Sequence, residues 1–198
     1  MPSVQAKLES LVREVKGCTV CKKHLPLGPK PVLNPSTRAK ILIVSQAPGT
    51  KVHEAGIPFH DASGVRLRRW LGVDDETFYD SSKFAIIPMG FCYPGRGKSG
   101  DNPPRKECAP LWHGKLLDHM PQIKLKILVG SYAQKYYLGD RMKENMTETV
   151  RAWKEYLPKF FPIVHPSPRN EIWLAKNRWF ERDVVPELKK NIRRIWRT

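Results

Sequence analysis

Four short apolar runs punctuate a chain whose other apolar residues fall mostly at helical spacing. The run Ile41-Leu-Ile-Val44, inside Ala39–Ser45, has no polar interruption, as a strand buried on both faces requires. Phe84-Ala-Ile-Ile87, Leu125-Lys-Ile-Leu-Val129 and Phe161-Pro-Ile-Val164 have the same character. Helical stretches over 63–71, 106–119, 131–138 and 146–157 lie between them, and a mostly helical stretch covers 171–196. Strand and helix alternating in this way predict an α/β fold, a three-layer α/β/α sandwich around a four-stranded, mainly parallel sheet. Ahead of the first strand, Val4, Leu8, Leu11, Val12 and Val15 predict an amphipathic helix over 3–16 that Gly17 ends. Pro26, Pro29, Pro31 and Pro35 make residues 22–38 a connecting loop. At 198 residues and without an internal repeat, the chain is expected to form one domain over 1–198, with the N-terminal helix packed on it.

In such a sheet, ligands bind beyond the carboxyl ends of the strands, so the residues that follow each strand matter most. They are Ser45-Gln-Ala-Pro-Gly49, Pro88-Met-Gly-Phe-Cys-Tyr-Pro-Gly-Arg-Gly-Lys98, Gly130-Ser131 and His165-Pro-Ser-Pro-Arg-Asn170. Charge then narrows the partner. Lys plus Arg number 35 against 19 Asp plus Glu, a net charge of +16, and this excess points to a polyanion, nucleic acid first. Lys189, Lys190, Arg193 and Arg194 in the last helical stretch read either as a DNA-facing stripe or as a solvated face. No apolar run approaches a transmembrane length, and no basic amphipathic segment has a broad apolar face, so no membrane partner is expected. The expected setting is cytoplasmic, and nucleoid-associated if the source is bacterial.

The four cysteines are Cys18, Cys21, Cys92 and Cys108, spaced as C-x2-C and then C-x15-C. Two disulfides fit poorly with a sequence that lacks secretory regions. Structural zinc and a four-iron cluster both suit four thiolates, and spacing leaves the two open.

Gln46-Ala-Pro-Gly49, then Gly56-Ile-Pro-Phe59 and Ser63-Gly64, and finally His165-Pro-Ser-Pro168 stand in a fixed order with the cysteine pattern around them. Together they resemble the uracil-DNA glycosylase superfamily, and most closely its iron-sulfur (family four) branch, over Cys18 to about Phe180. The resemblance implies a 4Fe-4S cluster on Cys18, Cys21, Cys92 and Cys108, with structural zinc as the alternative. It also implies a monomeric, monofunctional DNA glycosylase that hydrolyses the bond to a deaminated base flipped out of DNA.

By the same resemblance, Phe59 stacks on the base and His165 donates to the base oxygen where charge gathers. Main-chain groups of Gln46, Ala47 and Gly49 supply further donors to that oxygen. Arg169 and Asn170 match the intercalating loop, and Ser63, Ser167, Arg96 and Lys98 grip the DNA backbone. Two departures stand out. His53 occupies the position of an acidic residue that handles water in the branch, followed by Glu54, with Asp61 as a third choice of base. Pro88 stands where relatives carry a uracil-reading Asn, which shifts base recognition to the backbone of Met89 and Gly90 and leaves hypoxanthine, or lost activity, as alternatives to uracil.

Overall fold

The computed structural model describes residues 3–98 and 100–197. Its strands are β1 (Ile41–Val44), β2 (Phe84–Ile86), a small hairpin of β3 (Arg96–Gly97) and β4 (Gly100–Asp101), β5 (Leu125–Val129) and β6 (Phe160–Ile163). The helices are α1 (Val4–Lys16), α2 (Thr50–Ala55), α3 (Ala62–Leu71), α4 (Asp75–Tyr79), α5 (Cys108–Leu117), α6 (Ser131–Leu138), α7 (Met146–Arg151), α8 (Glu171–Lys176) and α9 (Val185–Arg197).

The main sheet has four strands in the order β2-β1-β5-β6, and every pairing is parallel. The chain runs from β1 outward to β2 and then returns to the other side of β1, so the strand order reverses between β1 and β5. That reversal opens a crevice at the carboxyl ends. Proline is tolerated in β6 at Pro162 because β6 is an edge strand paired only with β5. The opposite edge is covered: Asn34 and Ile86 exchange both main-chain hydrogen bonds, at 2.8 Å each, so the loop before β1 blunts β2.

Alternation along the strands builds two cores. Ile41, Ile43, Phe84, Ile86, Ile127 and Phe161 face α3 and α9, where Leu67, Trp70, Leu188 and Ile192 meet them. Leu42, Val44, Ala85 and Leu128 face the other way, against Leu8, Leu11 and Val15 of α1 and Ala109, Trp112 and Leu116 of α5. This is the expected three-layer sandwich. Its helix lengths differ from the expected ones where local chemistry intervenes. The stretch 146–157 is α7 followed by a 3-10 turn over Trp153–Tyr156, and 171–196 breaks at Asn177 before a π-turn leads into α9. Helices α2 and α4 and the β3–β4 hairpin carry too little periodicity to be read from the sequence.

The basic end of α9 is a solvated face, not a stripe beside the crevice. Trp196 packs edge-on to Phe84, the first residue of β2, at 5.4 Å, which puts the end of α9 at the amino ends of the strands. Lys189 meanwhile lies against Gly72, and Lys190 is within 3.7 Å of Glu187.

Phe180 joins these layers. It is fully buried and packs edge-on to Trp70 of α3 at 4.9 Å and to Trp173 of α8 at 5.8 Å. Phe180→Ala should cost ~3–5 kcal/mol in urea unfolding; a loss below ~1 kcal/mol would show that Phe180 is not what joins these layers.

Candidate active site

Hydrogen bonds continue the β1–β2 pairing beyond the strands. The N–H groups of Ile87, Met89 and Gly90 donate to the carbonyls of Ile43, Ser45 and Gln46 at 3.0, 2.8 and 3.0 Å. Gln46 Nε2 also donates to the Asn102 carbonyl at 3.3 Å, tying the loop after β1 to the segment beyond the hairpin. Under these zipped loops lies a narrow cleft open to solvent. Ser45, Ala47, Gly49, Phe59, Asp61, Ser63, Pro88 and His165 are among its lining. Neither the Ala47 nor the Gly49 N–H is claimed by a carbonyl among the described residues.

His165 follows β6 and is held from three sides. The Ser167 N–H donates to its Nδ1 at 3.2 Å, Asn170 Nδ2 donates to its carbonyl at 2.7 Å, and its side chain lies over Gly130. A Cβ at Gly130, where φ is +82°, would stand 3.3 Å from His165 Cβ, so glycine serves both the backbone and the close approach. Because Nδ1 accepts, the neutral ring carries its proton on Nε2 and is a donor there. Burial holds the His165 pKa down to about 4, against the opposing pull of Asp61, so the ring is neutral near pH 7.

Phe59 has φ +57°, a left-handed conformation that costs ~1–3 kcal/mol for a bulky residue unless its surroundings impose it. They do. Tyr79 Oη donates to the Pro58 carbonyl at 2.9 Å, Phe78 meets the Phe59 ring edge-on at 6.0 Å, and Gly64 leaves room for the turn. A Cβ on Gly64 would fall 1.8 Å from the Phe59 carbonyl oxygen, which explains the Ser63-Gly64 pair. Asp61 caps α3 by accepting from the Gly64 N–H at 2.9 Å. Ser63 is buried in the cleft wall rather than presented on an outer surface.

Other expected residues stand elsewhere. His53 and Glu54 sit on α2 and are not among the cleft lining. His53 is buried beside Tyr93 with Nδ1 unpartnered; burial, and then Lys30, hold its pKa below the ordinary range. Glu54 is exposed, and its carbonyl accepts from Lys30 Nζ at 3.0 Å. Met89 and Gly90, expected to read the base through backbone groups, have both N–H groups engaged in the zipper, and neither residue is among the cleft lining. Ser167 braces its loop, its Oγ accepting from the Arg169 N–H at 3.2 Å and its carbonyl from Arg66 Nη1 at 3.2 Å. Arg169 reaches the hairpin, with its guanidinium against Gly100. Arg96 and Lys98 are exposed on that hairpin.

A histidine absent from the sequence reading supports the cleft from behind. His113 of α5 is buried, with Nε2 3.0 Å from the Pro88 carbonyl and Nδ1 2.7 Å from Tyr137 Oη. The Pro88 carbonyl only accepts, so Nε2 carries the proton and Nδ1 accepts from Tyr137. Pro88 therefore turns its carbonyl away from the cleft and presents its ring as an apolar wall. The only sequence signal for His113 was its place on the buried face of α5 with Ala109, Trp112 and Leu116.

Cys18 and Cys21 follow α1, Cys92 follows the zipped loop, and Cys108 opens α5. All four line one chamber that Leu25, Pro31, Phe91 and Trp112 help to close. Burial pushes up the thiol pKa values of Cys21, Cys92 and Cys108, the last to about 12. No three His, Cys, Asp or Glu side chains among the described residues converge closely enough to hold a single metal ion.

The strand-end cleft of this parallel-sheet domain thus brings together an aromatic ring, main-chain N–H groups that no carbonyl among the described residues claims, and a neutral histidine. A family model for the uracil DNA glycosylase superfamily matches residues 31–189, well over half of the chain. The chain belongs to that superfamily, whose members are DNA glycosylases that bind DNA. No helix among the described residues is long and apolar enough to cross a membrane.

Burial gives His113 a measurable linkage. Its pKa falls from 6.5 to about 4 on folding. The unfolded chain thus takes up the proton first, and stability is full above pH 6.5 and lost as pH falls toward 4. Between pH 7 and 4.5 the wild type should lose ~2 kcal/mol more than His113→Gln in urea unfolding; equal losses would refute the buried neutral form.

Proposed function

We propose that the protein hydrolyses the N-glycosidic bond of a deaminated base in DNA, uracil first, and leaves an abasic site. The observation that carries this reading is His165, held as a neutral Nε2–H donor in the wall of the cleft that also contains Phe59. A base flipped into the cleft stacks on Phe59, and its O2 meets His165 Nε2–H and the main-chain donors of Ala47 and Gly49. As the bond from C1′ to the base nitrogen lengthens, negative charge gathers on that oxygen and positive charge on the sugar. Asp61, the carboxylate in the cleft wall, steadies the sugar cation and accepts a proton from water as the water oxygen bonds to C1′. The base leaves with the bonding electron pair and is protonated by solvent.

No lysine is among the cleft lining, which supports hydrolysis without a Schiff-base step. The apolar wall of Pro88 gives no side-chain amide to read the base edge. Recognition then rests on shape and on a base oxygen that can take the His165 proton donor, O2 in uracil and O6 in hypoxanthine, and hypoxanthine joins uracil as a test substrate.

Cys18, Cys21, Cys92 and Cys108 would hold a four-iron cluster. The four thiols line one chamber, and the motifs around them resemble the iron-sulfur branch, which supports the cluster over one zinc ion. When bound, the group supplies a covalent brace through four iron–thiolate bonds. The chain's own contribution is to bring the end of α1, the loop after β2 and the start of α5 to one place.

Base release from oligonucleotides carrying uracil, hypoxanthine or xanthine tests the reading. His165→Ala should lower kcat by ~10²–10³-fold. Asp61→Asn should abolish most of the activity, and His53→Ala should retain most of it. Release of no base by wild-type protein that still binds DNA would instead mark a binding protein without chemistry. Metal analysis of protein purified without oxygen should find about four iron atoms and matching sulfide per chain. One zinc in their place would overturn the cluster.

A further inference from the structure

A second groove lies one residue away from the cleft. Pro88 lines the base cleft, and Met89, next in the chain, lines this groove. Its lining includes Met89, Pro103, Pro104 and Pro110 together with Tyr132 and Tyr136. The tyrosines stand one turn apart on α6, which begins directly after β5 and so at the carboxyl edge of the sheet. Both are unusually open for large rings, 39% and 43% exposed. Tyr136 is backed by His113 and Tyr137, at ring separations of 5.8 and 5.2 Å.

The groove has a basic rim and a basic continuation. Lys106 and Lys135 border it, and Arg105 lies beside them, neutralised by Glu107 at 2.7 Å. Through Pro103–Lys106 it runs into a depression shared with His24, Pro94 and Asn102, and from there to Lys23 and Arg96. Asp101 is the exposed acid nearest in the chain to this path. Tyrosine faces and prolines offer flat apolar surface, whereas proline gives no N–H with which to read a base edge. Such a surface suits the face of an unpaired base with its phosphates on the rim. A duplex keeps its base faces covered and brings only phosphates and groove edges.

We infer that this groove binds single-stranded DNA, stacking unpaired bases beside the excised nucleotide on Tyr132 and Tyr136 while Lys106 and Lys135 hold the phosphates. The inference rests on the proposed function for its choice of DNA. Its test avoids the chemistry: fluorescence anisotropy with an undamaged oligothymidylate and with an undamaged duplex of equal length. Tyr132→Ala should weaken single-strand binding at least about fivefold and leave duplex binding within about twofold. Tyr132→Phe should bind as the wild type does. Lys135→Ala should lower the salt slope of single-strand binding by about 0.7. A melting temperature equal to the wild type's, expected at this exposed site, shows that the fold is intact. Single-strand binding unchanged in Tyr132→Ala, or reduced equally for both DNA forms, overturns the inference. Wild-type protein that binds single strands through Tyr132 yet releases no base would sink the enzymatic reading and leave this one standing.

Discussion

The short main-chain zipper after β1 and β2 is the constraint on which both sites depend. Parallel strands end at Val44 and Ile86, yet their pairing continues through Met89 to Ser45 and Gly90 to Gln46. Pro88 sits inside this zipper. It has no N–H to pair, so its place costs no hydrogen bond, and His113 takes its carbonyl from the opposite side. With both neighbours pinned, the Pro88 ring is fixed toward the cleft. The same fixed register carries Phe91 and Cys92 toward Cys18, Cys21 and Cys108, so the geometry of the cysteine chamber and that of the cleft are set by the same few bonds.

Rigidity in the cleft comes from packing and hydrogen bonds that do not involve a ligand. Phe59 keeps a conformation that a bulky residue disfavours because Tyr79, Phe78 and Gly64 leave it no other. His165 keeps its tautomer because Ser167 presents an N–H to Nδ1. Arg66 ties α3 to the same loop through the Ser167 carbonyl and Glu171, so the aromatic plate and the histidine donor belong to one framework. A donor fixed before charge develops spends nothing on reorientation when it does.

The sheet was legible in the sequence because strands buried on both faces leave runs such as Ile41–Val44 that no surface element shows. The helices with one apolar stripe, α1 and α3, were legible for a similar reason. Helix α2 was not, since six residues with two buried side chains carry no period. Motif spacing found His165, Phe59 and the cleft-lining residues Ala47 and Gly49. It also directed attention to His53 and Glu54, because a motif fixes position along the chain and not the side of a short helix. His113 escaped for the opposite reason. A buried histidine at core spacing looks like any other core position until its two partners, which lie 25 and 24 residues away, are brought to it.

Charge and chemistry are separated in this molecule, and the separation follows from desolvation. The net charge of +16 is spread over exposed loops and helix faces, whereas the cleft contains no lysine or arginine among its lining. A cation inside it would have to give up water with only Asp61 to compensate, and it would raise the cost of burying nothing more useful than itself. A neutral imidazole avoids that cost and still donates a proton in a hydrogen bond. Burial, which keeps His165 neutral, also lowers the local dielectric, and in the proposed reaction this strengthens its hydrogen bond to charge that appears as the bond breaks. Arg96, Lys106 and Lys135 are exposed instead, where charge costs little desolvation and salt can screen it. On the proposed function, attraction to a polyanion and stabilisation of a transient anion fall to different residues, each in the dielectric that its task requires.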